Sequence, residues 1–449
     1  RTPSSATNKQ IFTWSGWVKR TGLSVVQFFY GQAATDATAC DLEFLADDTL
    51  RIVDESISLD LRTTQVFRDT SAWYHIVFAV DTTQATSSDR VKIYVNGQQV
   101  TALSRTTYPT QNTDFNINNT TAQNIGRTTT PDSYFDGYMS DVYFIDGQAL
   151  EPYYFGSNDE NNIWKPISYK GTYGTNGFRL AFTDTTSTTT IGYDSSPNGN
   201  NWTSNNISLT AGTTYDAMTD VPTNTSATQA NYAVMNPLSS ASGTLTNGNL
   251  TFSNAGAVKG AKGTFALESG KWYWENTITT LGANDLGVGI LFDGATDTMR
   301  DGTATSTYSV FYQANTNVRK NGTVVANYAS YTTGDVIGIA YDADARSITF
   351  YKNNTSQGSI TADIPSSPYV VWIIQPNTIT ATVNANFGQR PFSYTPPSGY
   401  VALNTYNLST PTIIQGNRYM DATLYTGTGV TNNIVNASQF KPDFVWIKS

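Results

Sequence analysis

Apolar residues along this chain come in short runs that alternate with polar ones. Val91-Lys92-Ile93-Tyr94-Val95 is typical. Val91, Ile93 and Val95 share one face of a strand, and Lys92 and Tyr94 take the other. Between such runs stand Asn-Gly pairs at Asn96, Asn176, Asn198, Asn247 and Asn321, and Asp-Gly pairs at Asp136, Asp146, Asp293 and Asp301. These dipeptides supply the positive φ angles of tight hairpin turns. No long stretch has helical period. The best helical candidate is a turn or two from Ala149 to Phe155, limited by Pro152. Many short strands with frequent turns predict an all-β fold of sandwiches or barrels.

One hairpin design occurs twice. His75–Asp81 with Val91–Gly97 is the first copy, and Asp335–Asp342 with Ser347–Asn354 is the second. Each joins a mostly apolar strand to an amphipathic one through an Asp-started turn. We therefore expect two sandwiches of related design, and 449 residues at ~150 per domain leave room for a third unit. The stretch between the copies, about 157–230, is rich in Thr, Asn and Ser. It reads either as a solvated connector or as extra strands leaning on the first sandwich, with Phe178–Phe182 and Ile207–Leu209 as candidates. A further unit is expected after Leu403, punctuated by Pro396, Pro397 and Pro411, with Phe444–Ile447 as a core strand. The chain opens at Arg1 and stops within that apolar run, so we expect a segment of a longer polypeptide.

Composition narrows the chemistry. Charged residues make up 14% and aromatic residues 13%, and there is one His and one Cys. One Cys (Cys40) excludes a disulfide framework and any Cys-based zinc site, and one His (His75) excludes a two-His metal site. A net charge of −9 argues against a nucleic-acid partner, which needs basic stripes. No apolar run approaches the ~18 residues of a membrane span.

Residues 1–156 resemble the laminin-G-like, concanavalin-A-like jelly roll. The resemblance rests on Phe12-Thr-Trp-Ser-Gly-Trp-Val18, Trp73–Asp81, Val91–Gly97, Ile125-Gly-Arg127, Tyr134–Phe144 and Gly147–Leu150. Residues from about 231 to 403 resemble a SPRY domain through Glu268–Glu275, Gly287–Ile290, Gly334–Asp342, Ile348–Asn353, Val383–Phe392 and Pro396–Tyr400. The resulting division is a jelly roll over 1–157, a polar linker over 158–230, a SPRY-like sandwich over 231–403 and the start of a further β domain over 404–449. This succession, with Asp194–Trp202 between and Lys441–Ile447 after, resembles tail-fibre or receptor-binding proteins of marine bacteriophages. It implies a virion protein on an exterior appendage. Its expected partners are a host cell-surface glycan or protein and other virion proteins, and the expected assembly is a homotrimer. The rival expectation is a structural fibre or capsid-decoration protein without its own receptor. Read by alternation, a laminin-G-like sandwich buries Trp14, Trp17, Trp73, Phe78 and Phe144 in its core.

Three chemistries compete for the polar residues. Jelly-roll glucanases carry alternating carboxylates on one strand, and Asp41-Leu42-Glu43 with Asp47 is the nearest approach. The spacing departs from that family's Glu-x-Asp-x-x-Glu run, and His75 opens a core strand, so no enzyme is expected. Laminin-G-like domains often hold calcium at a loop rim, which would draw on Asp81, Asp89, Asp136 and Asp141, although Asp also starts turns without a metal. No other cofactor is expected. Sugar sites need an aromatic platform with amide and carboxylate partners. Candidates are Tyr108, Arg127, Tyr134 and Asp136 in the first sandwich. In the second they are Tyr308, Tyr312, Tyr328 and Tyr331, near the loops SPRY domains use for partners. A strand Tyr also commonly covers half-buried sheet.

Overall fold

Alternation along the strand Ile11–Arg20 sets the layout of the first sandwich. Phe12, Trp14 and Val18 point into the core, where Trp14 packs against Phe29 at 5.2 Å between ring centroids and against Phe78 at 6.2 Å. Gly16 lies on the same face, and a Cβ there would stand 2.6 Å from the Trp14 indole, so the bare backbone makes room for the ring. The computed structural model describes residues 1–32, 39–128, 133–239, 243–254, 259–282, 285–292, 309–361, 364, 369–375, 380–410, 412–423, 425–436 and 440–447.

The architecture is all-β, as the sequence predicts, with single 3₁₀ turns as its only helical pieces among the described residues. The Ala149–Phe155 candidate is one of these turns, Pro152–Tyr154. Each sandwich has two sheets. In the first, one sheet runs Phe178–Leu180, Gly137–Asp146, Ile11–Arg20, Tyr74–Asp81, Val91–Val95, Gln98–Gln99. We call it the seam sheet. The facing sheet runs Gln123–Ile125, Gln27–Gln32, Cys40–Phe44, Thr49–Asp54, Leu59–Val66, Leu103–Thr107, and we call it the open sheet. In the second sandwich a seven-stranded sheet centred on Lys271–Leu281 faces a six-stranded one centred on Gly287–Phe292. Both repeated hairpins form: Tyr74–Asp81 pairs with Val91–Val95, and Val336–Asp342 with Ser347–Lys352.

The stretch before the second sandwich is built into the first. Phe178–Leu180 adds an edge strand to Gly137–Asp146, and Phe178 stacks on Phe144 at 5.9 Å and meets Trp202 at 5.0 Å. Ile207–Leu209 forms no strand. In the second sandwich the Glu275 carboxylate is buried and accepts hydrogen bonds from the Ser393 and Tyr394 amides, tying down the closing segment. Leu403 and Asn404 are still fully buried, with Asn404 bridged to Tyr232. The expected strand Phe444–Ile447 does not form. Phe444 and Trp446 are more than four-fifths exposed, and a strand without a paired neighbour has no ladder to hold it.

The aromatic core expectation needs correction at two positions. Trp17 and Trp73 do not fill the first core. Trp17 is three residues from Trp14, and Trp73 five from Phe78, so a period of two sends each to the opposite face. Both join Tyr138 in the apolar cluster of the second sandwich, beside Ala233, Met235, Leu250 and Phe252. The end of the seam sheet's outer face that carries Trp17, Trp73 and Tyr138 is thus covered by the second sandwich, while Val77, Ala79, Tyr143 and Ile145 on the same face pack under Phe155, Tyr169 and Tyr173.

A buried polar hub pins this contact. The Lys19 ammonium donates to Asp220 at 2.7 Å, to the Asn231 side chain at 2.7 Å and to the Tyr232 carbonyl at 2.9 Å. Both charged side chains are fully buried. The Trp73 indole N–H donates to the second Asp220 oxygen at 3.0 Å. Burial pulls the Lys19 ammonium below its usual range, and Asp220 opposes that pull. Asn249 donates to the Thr21 carbonyl at 3.1 Å, and the Tyr138 hydroxyl to the Gly248 carbonyl at 2.8 Å.

Candidate functional site

The outer face of the open sheet carries the most concentrated polar chemistry of the first sandwich. Its strands alternate apolar-in and polar-out. Leu42, Ile52 and Leu61 enter the core, while Asp41, Glu43, Arg51, Asp60, Arg62 and Arg105 face outward. Register lines them up: Glu43 opposite Arg51, Arg51 opposite Arg62, and Arg62 opposite Arg105. Guanidinia stacked this way repel unless carboxylates stand between them, and they do. Arg51 binds Asp60 with two bonds of 2.9 Å and reaches Glu43 at 3.1 Å. Arg105 reaches Asp60 at 2.8 Å, and Arg62 pairs with Asp47 and donates to Thr49 at 3.0 Å.

Electrostatics follow from this wiring. Burial pushes the Glu43 carboxyl up, and Arg51 only partly counters it. Burial also pushes Asp60 up, but hydrogen bonds from Arg51 and Arg105 outweigh it and hold Asp60 below the ordinary carboxylate range. At one end of the face the strands leave a groove of 570 Å³ lined by Asp47, Thr49, Arg62, Thr63, Thr64, Val66, Ser104 and Arg105. The Arg105 side chain is 61% exposed. The face therefore offers fixed, planar donors beside carboxylate and hydroxyl acceptors. That set suits ligands rich in hydroxyls or carboxylates.

The sequence candidates scatter. Arg127 and Tyr134 sit at one rim, where the Phe135 amide bonds the Gly126 carbonyl at 2.9 Å. Tyr134 is 56% exposed and bridges Phe28 of the open sheet. Asp136 lies two residues on, but its carboxylate accepts from the Thr21 hydroxyl at 2.9 Å. Tyr108 is apart from these, half-buried against the first core near Asp89. In the second sandwich Tyr312 and Tyr331 are core, not rim, and Tyr328 is half-buried. Tyr312 and Tyr331 are buried with rings 5.0 Å apart. The Tyr331 hydroxyl donates to the Leu286 carbonyl at 2.5 Å, and that of Tyr312 donates to the Ala329 carbonyl. Tyr328 packs on Tyr312 at 5.5 Å and closes over Gly358, where a Cβ would stand 2.9 Å from the Tyr328 hydroxyl. Burying a tyrosine needs one hydroxyl partner, which each carbonyl supplies. Tyr308 lies outside the described residues.

The four aspartates of the calcium expectation are not brought to one place. Asp81 pairs with Ile11 at the start of the first strand, while Gly137, beside Asp136, pairs with Arg20 at its end. Nine residues of strand, about 30 Å, separate the two. Each carboxylate has local work. Asp81 caps Thr83 and Gln84, Asp89 pairs with Lys92 at 3.2 Å, and Asp141 holds Arg179 at 2.7 Å. Among the described residues no cluster of three His, Cys, Asp or Glu side chains could hold a metal.

His75 is fully buried, stacked between Trp17 at 4.9 Å and Trp164 at 6.0 Å. The Trp164 indole, which can only donate, bonds its Nδ1 at 3.0 Å. Nε2 then carries the proton and donates to Ser15 Oγ at 2.9 Å. A histidine arranged this way cannot take a proton from Ser15. Burial lowers its pKa to about 3.

The concanavalin A-like lectin/glucanases superfamily matches residues 1–152, and the SPRY domain matches residues 271–390. The chain carries a concanavalin A-like domain followed by a SPRY domain. No curated protein matches it. Among solved structures, the SPRY domain of human HERC1 is 21% identical with a TM-score of 0.28, over 32% of this chain and 91% of that one. A human SPRY domain is 19% identical with a TM-score of 0.25, over 32% and 94%. The PSpry domain of TRIM65 is 13% identical with a TM-score of 0.28, over 34% and 92%. Likeness at that level carries no functional weight. Concanavalin A-like and SPRY domains are typical protein- or carbohydrate-binding modules. Among the described residues no helix is long and apolar enough to cross a membrane.

Proposed function

We propose that this chain is a non-catalytic adhesion module that holds a cell-surface glycan on the open sheet of its concanavalin A-like domain. The observation that supports it most is the fixed Glu43–Arg51–Asp60–Arg105 ladder beside an accessible groove. Its donors and acceptors are held in place before a ligand arrives, so little side-chain entropy is lost on binding. The non-catalytic reading draws on one contact of this ladder and on His75 in the other sheet. Glu43 is engaged by Arg51, and the His75 tautomer cannot activate Ser15. A protein receptor is the other partner the two modules admit.

The succession of laminin-G-like and SPRY-like units, with its likeness to phage receptor-binding proteins, supports placing the chain on a virion exterior appendage as a homotrimer. A second reading, a spacer in a fibre or a capsid decoration, is favoured by the fully buried hub of Lys19 and Asp220 at the seam between the sandwiches. Immunogold labelling of intact virions separates the two. Label at the tail tip supports attachment, and label over the capsid shell supports decoration. Failure of the antibody to find the chain on any virion refutes both.

A further inference from the structure

Beside the buried hub the seam opens into a second groove, of 350 Å³, to which both domains contribute. Arg68, Asp69, Thr70 and Ser71 line it from the concanavalin A-like domain, and Asn236, Leu238 and Thr264 from the segment that begins the SPRY sandwich. We propose that this seam groove is a composite oligosaccharide site, distinct from the open sheet and complete only when the two domains are docked. The proposal rests on the carbohydrate-binding reading above and adds a second place where it operates.

Three observations support it. First, the groove's polar groups are positioned by the seam itself. The Ser71 carbonyl accepts from Asn231 across the seam at 2.7 Å, and Asn231 also accepts from Lys19. Asp69 fixes the turn by accepting from the Ser71 amide at 2.9 Å and hydroxyl at 2.6 Å. The opposite wall is equally fixed. The Asn236 amide donates to the Lys262 carbonyl at 2.7 Å, and the Thr264 hydroxyl accepts from the Val234 amide at 3.1 Å. Second, the Arg68 guanidinium, 56% exposed, is oriented by a 2.7 Å bond to Asp48, a buried carboxylate. Third, Leu238 is 57% exposed amid these polar groups, and its amide is held by the Asn236 side chain at 2.9 Å. An exposed aliphatic patch ringed by a guanidinium, a carboxylate, hydroxyls and an amide matches a sugar ring, which has an apolar face and a hydroxylated edge. Clefts between domains are favoured places for such sites.

The test is a printed array of neutral and acidic oligosaccharides probed with the intact chain and two variants. Leu238→Arg fills the groove from an exposed position, and Arg105→Ala disables the open sheet. Arg68→Gln is a second groove variant. Thermal unfolding confirms that each variant is folded. The proposal expects a subset of wild-type hits to weaken at least 10-fold in Leu238→Arg and in Arg68→Gln while holding in Arg105→Ala. If every hit survives Leu238→Arg and Arg68→Gln, the seam groove is overturned, and the open-sheet reading stands if those hits fall with Arg105→Ala. If the wild-type chain binds no oligosaccharide, the carbohydrate reading fails at both places.

Discussion

The concanavalin A-like sandwich has two outer faces made by the same rule and put to opposite uses. On the seam sheet, alternate positions carry Trp17, Lys19, His75 and Tyr138, all buried: Trp17 and Tyr138 in the apolar cluster of the SPRY sandwich, Lys19 against Asp220 and His75 against Trp164. On the open sheet, they carry Glu43, Arg51, Asp60 and Arg62, and the guanidinia stay accessible. A buried charge must be matched by a fully bonded partner, which is what Asp220 supplies to Lys19. A half-exposed charge can be matched by neighbours and still accept a ligand. In a chain with so few charged residues, placement decides function more than number does.

Removing one half of the buried pair should break the comparison most severely. Asp220→Ala strands the Lys19 ammonium and the Trp73 indole N–H, and should cost ~3–5 kcal/mol. Urea unfolding followed by far-UV dichroism measures it. Trp73→Ala should cost ~3–5 kcal/mol as well, because it empties a large aromatic site. That loss should appear as undocking of the SPRY domain, with the first core intact. Trp14→Ala, of similar size, should instead melt the first core. Tryptophan-resolved fluorescence of the two variants tells them apart, and identical unfolding profiles would refute the assignment of Trp73 to the seam.

Next in size is a pH effect from His75. Its folded pKa of about 3 lies below the unfolded value near 6.5. The unfolded chain therefore binds the extra proton between those values. The stabilising contribution is complete above pH 6.5 and declines as pH falls toward 3. The slope is at most ~1.4 kcal/mol per pH unit. Denaturant titrations between pH 4 and 7 should show this slope in the wild type and lose it in His75→Gln. The smallest stability effect is expected on the open sheet. Arg105→Ala removes a largely exposed ion pair and should change stability by less than ~1 kcal/mol. It should nonetheless reduce oligosaccharide binding.

Much of this was legible in sequence. Turn dipeptides and period-two runs predict the all-β fold and both hairpins, because those signals are local. The open-sheet ladder was also present, since Asp60-Leu61-Arg62 alternates charge with core. The pairing of Glu43, Arg51 and Arg105 is not legible there, because it depends on strand register. Two of the tyrosine candidates sit in the core for another reason. Tyr312 and Tyr331 look like rim residues until Leu286 and Ala329 are seen to offer carbonyls in the core. The seam was hidden because Asp220 and Lys19 lie far apart in sequence, and only folding shows that Asp220 is a buried partner. Trp17 and Trp73 could have been placed correctly by counting residues from Trp14 and Phe78.

The division of labour between the two faces is tested most directly by hydrogen exchange of the intact chain, with and without the oligosaccharide it binds best on the array. The account predicts new protection in Cys40–Asp54, Leu59–Val66 and Leu103–Thr107 or around Arg68–Ser71 and Asn236–Leu238, with Ser309–Gln313 and Asn317–Asn327 unchanged. Protection confined to the SPRY strands around Tyr312 and Tyr328, with the open sheet and the seam groove unaffected, would contradict it.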